Sequence, residues 1–319
     1  MKLFFSCDWG TSNFRLRLVD AGKGRPLSEI KTDQGIAMTF DAWKRSGTTE
    51  EDRKVFYQNY LFEQVKKITG SFAGPVDNLP IILSGMASSS IGMLELPYKK
   101  LPFQCDGSDL IVHTIGEGKN QPHKIILISG VSSEMDVMRG EETILVGCDI
   151  VMDEKKQLFL FPGTHSKHVL VKSGVVQSVA TYMTGEVFDL LSNKSILAAS
   201  VVKNDTGPGI NNQAFTDGVN EGASSNILNS IFHVRTNQLL KNMTADVNYF
   251  YLSGLLIGQE LKDVLGNKPA AITLVCSEGL QKVYKTALHI LGLHDRLDYK
   301  NADDALINGQ KRIMQQAGY

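Results

Sequence analysis

Short apolar runs, each closed by a small polar turn, set the rhythm of the chain. Residues 2–7 and 14–19 read as two β-strands around the turn Asp8-Trp9-Gly10-Thr11-Ser12-Asn13. In the second strand Phe14, Leu16 and Leu18 alternate with Arg15 and Arg17, a period of two. Ile81-Ile82-Leu83 runs into Ser84-Gly85, and Ile125-Ile126-Leu127-Ile128 into Ser129-Gly130. Uninterrupted apolar strands followed by glycine-containing loops predict an interior, partly parallel sheet of an α/β protein. Past the middle of the chain the opening hairpin recurs. Leu158-Phe159-Leu160-Phe161 leads through Pro162-Gly163-Thr164-His165-Ser166 to the return strand His168-Val169-Leu170-Val171.

Helical periods fill the intervals. Residues 50–68 form an amphipathic pattern with Val55, Tyr60, Leu61, Val65 and Ile68 on the apolar side. Residues 141–148 open on Glu141 and Glu142, which suit the positive start of a helix. Further helices are expected at 246–264 and 280–293, around a strand at 271–276, and at 302–316. The run 203–214, rich in Asn, Asp, Gly and Pro, predicts a loop.

Length then sets the domain count. The 319 residues exceed the size at which one core stops growing, roughly 250–300 residues, so two domains are expected. The polar stretch 149–157, with Lys155-Lys156, marks the boundary. An N-terminal α/β domain over 1–150 carries the first turn and a C-terminal α/β domain over 151–319 carries the second, with the last helix free to return to the first.

Charge and cysteines remove whole classes of function. With 33 Lys and Arg against 34 Asp and Glu, the net charge of -1 gives no electrostatic case for nucleic acid or an anionic membrane surface. No apolar run approaches the roughly 18 residues of a membrane span. The N-terminus meets Asp8 before a signal peptide's apolar core could form, so a cytoplasmic location is expected. Cys7, Cys105, Cys148 and Cys276 stand far apart without a CxxC pair, which points away from disulfides and structural zinc.

Five constellations could carry chemistry, and each also has an ordinary structural reading. In the first turn Gly10 lets a ligand approach the backbone, Thr11, Ser12 and Asn13 offer donors to phosphate, and Asp8 is a hard oxygen ligand suited to Mg²⁺. The same residues also make plain hairpin turns. The second turn gathers Gly163, Thr164, His165, Ser166 and Lys167, a set suited to an anion or to a solvated hairpin tip. His165 and His168 lack a neighbouring third ligand, so zinc is not expected. In Met138-Arg139-Gly140-Glu141-Glu142-Thr143 an acid at the helix start could accept a proton. Arg139 could clamp a carboxylate with its planar fork, or pair at the surface with Glu134 or Asp136. Ser88, Ser89 and Ser90, after a buried strand, have hydroxyls for a polyhydroxy substrate, or simply connect elements. Gly279, in the strand–turn–helix run 272–280, could let a nucleoside lie against the backbone.

The order of Asp-Gly-Thr hairpin, acidic helix start, second Gly-Thr hairpin and late strand–Gly–helix resembles the sugar kinase, Hsp70 and actin superfamily. That resemblance implies two ribonuclease-H-like α/β domains with ATP in an interdomain cleft. It makes Gly10, Thr11, Ser12 and Asn13 the first phosphate motif, and Gly163, Thr164, His165 and Ser166 the second. Ser277 and Gly279 fall in its adenosine motif, with Ser253 and Gly254 nearby, and residues 304–309 match its second connecting element. Asp8-Trp9-Gly10, the run 138–143, Pro162-Gly163-Thr164-His165, Met183-Thr184-Gly185-Glu186 and Leu252-Ser253-Gly254-Leu255-Leu256-Ile257-Gly258 resemble the 2-dehydro-3-deoxygalactonokinase family from about residue 5 onward. The implied activity is ATP- and Mg²⁺-dependent phosphorylation of the 6-hydroxyl of 2-dehydro-3-deoxy-D-galactonate, in galactonate breakdown. Related sugar kinases carry an aspartate base where this chain has Glu141 and Glu142. Glu141, closer to the incoming loop, is the expected base, ahead of Glu142 and then Asp136. Arg139 is expected on the substrate carboxylate. Kinases of another keto-deoxy acid such as 2-dehydro-3-deoxygluconate, and a non-catalytic sensor on the same fold, remain as alternatives. Assembly stays open between monomer and homodimer.

Overall fold

The computed structural model describes residues 3–47, 49–74, 76, 78–116, 123–203, 213–267 and 269–318. The loop expected at 203–214 therefore lies mostly outside the described residues, and its last two positions already belong to a helix, Gln213–Ser224. The chain divides into two compact units. One holds Met1–Met152, Ser173–Val179 and Ala302–Tyr319, the other Asp153–Lys172 and Ala180–Asn301.

In the first unit the opening hairpin forms as its alternation predicts. Leu3–Trp9 and Phe14–Asp20 pair antiparallel, with Trp9 opposite Phe14. A third strand, Arg25–Thr32, extends the meander; its side chains are exposed or half-buried, so it lacks the apolar signal that reveals the other two. On the other flank Ile81–Gly85 runs parallel to the first strand and Ile125–Ile128 parallel to that, and Val112–Ile115 closes the edge antiparallel. The period of two sends Phe5, Cys7, Trp9, Phe14, Leu16 and Leu18 into the core. The helix Arg53–Thr69 covers them with Tyr57, Leu61, Val65 and Ile68, a stripe at helical spacing. Val55, expected on that stripe, is 48% exposed, because the buried face is set from Tyr57 onward. Trp9 is fully buried with its ring centroid 5.0–5.5 Å from those of Phe14, Tyr57 and Tyr60.

The second unit repeats the plan. Gln157–Phe161 and Ser166–Lys172 form the hairpin, and Ala271–Cys276 and Leu297–Asn301 lie parallel on the other side of Gln157–Phe161. Both units thus place an antiparallel hairpin next to parallel strands that join at its first strand. The α/β architecture with two sheets is the one the repeated hairpins predicted.

Two close helix crossings finish the units. Gln213–Ser224 packs on Ala245–Asn267 through Gly218 and Gly222 on one helix and Gly254 and Gly258 on the other. A Cβ at any of the four would come within 3.0 Å of a backbone oxygen of the facing helix. Spacing of four keeps each pair on one face. Gly222→Ala should therefore lower the melting temperature, by the equivalent of about 1–3 kcal/mol. Gly266→Ala, in open space on the long facing helix, should not. A thermal melt of both variants checks this.

In the first unit Gly147 and Gly309 meet in the same way, against the backbone oxygens of Ala305 and Thr143. They seat the last helix, Ala302–Gln316, whose buried Gln310 donates from Nε2 to the Cys7 carbonyl and to Ser84 Oγ, both at 2.9 Å. All four cysteines are buried thiols outside any disulfide. Among the described residues no helix is long and apolar enough to cross a membrane.

Candidate active site

Strands 3–9 and 81–85 of the first unit are parallel neighbours, with Asp8 in register with Ser84 and Trp9 with Gly85. The carboxyl edge of such a sheet is where ligands bind. Gly85 takes φ 86°, and a Cβ there would lie 2.9 Å from the Trp9 carbonyl and 3.3 Å from Asp8 Oδ1. Glycine therefore keeps space open before the Asp8 carboxylate. Asp8 retains some exposed surface but is densely surrounded, and burial raises its pKa while Arg15 and Arg17 pull it back down. Arg15 sits directly across the ladder from Asp8. Both arginines pair with Asp303 at the start of the last helix, and Arg17 also reaches Glu29 at 2.6 Å. Their signal in the sequence was two cations at a period of two, one of them opposite Asp8. Glu141 lies close enough to Asp8 for its charge to be felt there.

The first turn is held from behind. Gly10 and Thr11 direct their carbonyls to the amides of Ile36 and Ala37, at 2.9 and 3.1 Å, at the start of the helix Ile36–Ser46. Gly35 has no room for a side chain against Thr11 and Ser12. The side chains of Thr11, Ser12 and Asn13 stay exposed.

Arg139 is fixed on two sides. Its Nη1 donates to the Ser88 carbonyl at 2.6 Å and to Ser88 Oγ at 2.5 Å, and its guanidinium carbon lies 4.2 Å from the Tyr98 ring centre. Its buried Nε has no hydrogen-bond partner, a donor left over for a ligand. The serines differ from expectation. Ser88 is buried and committed to Arg139, and Ser89 Oγ donates to the Met86 carbonyl at 2.7 Å. Only Ser90 of the three is exposed, so Ser88 and Ser89 are supports rather than ligands. Tyr98 carried no sequence signal, because a single aromatic in a loop has many uses.

The two glutamates part company. Glu142 is 1% exposed, and its carboxylate accepts from the Gly140 amide at 2.7 Å and the Thr143 hydroxyl at 3.0 Å. Burial, with the neighbouring Glu141 charge, pushes its pKa up to about 7. Glu141 is half-exposed and accepts from the Arg139 amide at 3.1 Å. Gly140, at φ 117°, packs close to Gly85: a Cβ added there would lie 3.5 Å from the Gly85 Cα. Because the folded pKa of Glu142 lies above its ordinary 4.5, the stability it confers is complete below pH 4.5 and lost as pH rises through 7. Glu142→Gln should gain ~3 kcal/mol on the parent between those limits. Urea unfolding at pH 4.5, 6 and 8 measures it; a constant difference between the two proteins would refute the shift.

In the second unit strands 157–161 and 271–276 are parallel neighbours, so the second turn and the run 277–279 share one sheet edge. Gly163 is open on its Cα side, and Thr164 and His165 are exposed. Ser166 and Lys167 are buried: the Gly163 amide donates to Ser166 Oγ at 3.3 Å, and Lys167 Nζ donates to the His165 carbonyl at 3.1 Å. These two hold the turn from within instead of facing a ligand. His165 pairs with Glu186. The run Met183-Thr184-Gly185-Glu186 braces the turn, since Gly185 abuts Gly163 and Thr164, and the Glu186 amide donates to the Thr164 carbonyl at 3.1 Å. Ser277 precedes the helix Glu278–Ile290, and Gly279 is exposed in open space. A cavity of about 790 Å³ opens along that helix, lined by Leu274, Gln281, Lys285 and Tyr299 among others. Gly254 is sealed against Phe215 in the helix crossing, and Ser253 stands beside it on the same helix. The expected adenosine role of Gly254 therefore gives way to packing.

A family model described as 2-keto-3-deoxy-galactonokinase matches residues 8–313. The chain belongs to the 2-keto-3-deoxy-galactonokinase family. A protein of Rhizobium meliloti (strain 1021), assigned as a 2-dehydro-3-deoxygalactonokinase, is 32% identical over 317 residues, 96% of this chain and 94% of its own. The 2-dehydro-3-deoxygalactonokinase of Escherichia coli (strain K12) is 32% identical over 226 residues, 68% of this chain and 72% of its own. A crystal structure from Sinorhizobium meliloti, with the same assignment, is 30% identical, covers 98% of each chain and superposes with a TM-score of 0.81. The family match opens at Asp8 and closes at Ile313, so it spans both turns, Arg139, both glutamates and both glycine crossings.

Proposed function

We propose that this chain transfers the γ-phosphoryl group of ATP to the 6-hydroxyl of 2-dehydro-3-deoxy-D-galactonate. The observation that carries this reading is the family match over residues 8–313, which includes the Arg139–Glu142 run beside Asp8. Phosphoryl transfer asks for positioning and charge stabilisation more than covalent help. Arg139 holds the sugar-acid carboxylate, with its unpartnered Nε as the remaining donor, and Ser90 serves the substrate hydroxyls. Glu141 takes the proton of the attacking hydroxyl. Glu142, neutral over part of the physiological range, shapes the helix start below it.

In the first unit Gly10, Thr11, Ser12 and Asn13 present amides and side chains suited to phosphate oxygens, and in the second unit Gly163, Thr164 and His165 present a set of the same kind. Ser277 and Gly279 lie along the nucleoside. Asp8 fits Mg²⁺, which takes one or two carboxylates and completes its shell with water and phosphate oxygens. When bound, the cation neutralises charge on the phosphates, and Asp8 with Arg15 and Arg17 around it fixes where that positive charge sits.

ADP release, coupled to a spectroscopic readout and measured across a panel of sugar acids, tests the proposal. Turnover that depends on 2-dehydro-3-deoxygalactonate supports it. Preference for 2-dehydro-3-deoxygluconate would change the substrate and keep the mechanism. No turnover with any keto-deoxy acid would favour a sensor.

A further inference from the structure

Behind the second turn lies a buried polar cluster that the proposed reaction does not use. Glu260, in the helix Ala245–Asn267, is 2% exposed yet has three polar partners. His168 Nε2 lies 3.0 Å from Oε1, the Tyr284 hydroxyl donates to Oε2 at 2.7 Å, and the Thr184 hydroxyl donates to the same oxygen. Burying a carboxylate is costly, and well-packed apolar side chains are commonly as stable. Packing alone gives no reason for this cluster; its outer ends do.

Two partners of Glu260 bear on the turn, and the third sits on the strand that leaves it. The Tyr284 oxygen is 3.3 Å from Ser166 Oγ, which in turn takes the Gly163 amide. Thr184 opens the helix Thr184–Lys194, whose next two residues touch Gly163 and Thr164. His168 stands two residues past Ser166 on the strand that leaves the turn. Burial, with the Glu260 charge nearby, holds the Tyr284 phenol well above its ordinary pKa, so it remains a donor.

We infer that Glu260, acting through Tyr284, Thr184 and His168, is the positioning residue of the turn 163–166 and sets its geometry for the ATP phosphates without touching the nucleotide. This rests on the phosphate reading of that turn. Tyr284→Phe and Glu260→Gln keep shape and remove parts of the cluster. Steady-state kinetics with ATP and the sugar acid varied separately, alongside Thr164→Val as a direct turn variant, test it. Both cluster variants should raise KM for ATP about 3–10-fold and leave KM for the sugar acid within about twofold. Calorimetry should show ADP affinity falling while adenosine affinity holds. A cluster that served stability alone would lower the melting temperature and the active fraction and leave both KM values unchanged.

If Thr164→Val weakens ATP while neither cluster variant does, the positioning role is overturned and the phosphate reading stands. If Thr164→Val leaves ATP unaffected, both fall. Should Tyr284→Phe fail to fold, Glu260→Gln decides alone.

Discussion

Asp8→Asn should lower kcat by about 10²–10³-fold, the range seen when one preorganised electrostatic contact to a transition state is lost. The substitution keeps the shape of a side chain whose position is set by the ladder, opposite Arg15 and beside Ser84. It removes only the charge. The fold should survive, and the sign follows from the raised pKa of Asp8. A carboxyl that folding makes harder to ionise costs stability once it is charged, so a neutral isostere relieves the fold at neutral pH. Turnover measured from limiting to saturating Mg²⁺, with a melting curve on the same preparation, separates the two effects. Near-normal activity at limiting Mg²⁺ would remove Asp8 from the metal site.

Glu141→Gln should cut kcat by about 10²–10⁴-fold with KM for the sugar acid nearly unchanged, the signature of a lost general base. Glu142→Gln should cost far less, because that carboxylate is spent on the Gly140 amide and the Thr143 hydroxyl. Arg139→Ala should fall on the other axis and raise KM for the acid, since the guanidinium is pre-fixed by Ser88 and Tyr98. If Glu142→Gln is the inactive variant and Glu141→Gln retains full kcat, the base is one residue further along. If both retain it, Asp136 is the next acid to replace, or proton removal does not limit the rate.

The strands and hairpins were legible because a period of two, or an unbroken apolar run between turns, leaves little freedom in where a strand can lie. Arg25–Thr32 escaped because an edge strand with half-buried side chains has no such pattern. The site was legible in its residue types and less so in their orientation. Sequence marks Gly163 and Gly254 alike as glycines in family motifs, yet one faces open space and the other a helix backbone. The four-residue spacing of Gly254 and Gly258, inside a helical stretch, was the clue to packing. Ser88 and Ser166 carry the right hydroxyls for a ligand but turn them to Arg139 and to the Gly163 amide. A hydroxyl's partner is chosen by tertiary approach, which local pattern does not record. Arg15 and Arg17 were visible only as the polar half of an alternation until Asp303, far along the chain, was seen beside them.

The last helix gives the molecule an unusual order of completion during synthesis. A ribosome releases Ala302–Gln316 only after the whole second unit, yet Gln310 must reach the carbonyl of Cys7, a residue made 303 positions earlier. Until it does, strands 3–9 and 81–85 lack the amide that bridges them, and Thr143 and Gly147 lack the helix they pack on. Every residue of the second unit has by then been made. Nascent domains ordinarily finish from the N-terminus onward; here the part begun first is finished last. A chain truncated after Asn301 and released from the ribosome should therefore yield a protease-resistant fragment from the second unit while the first is still being cut.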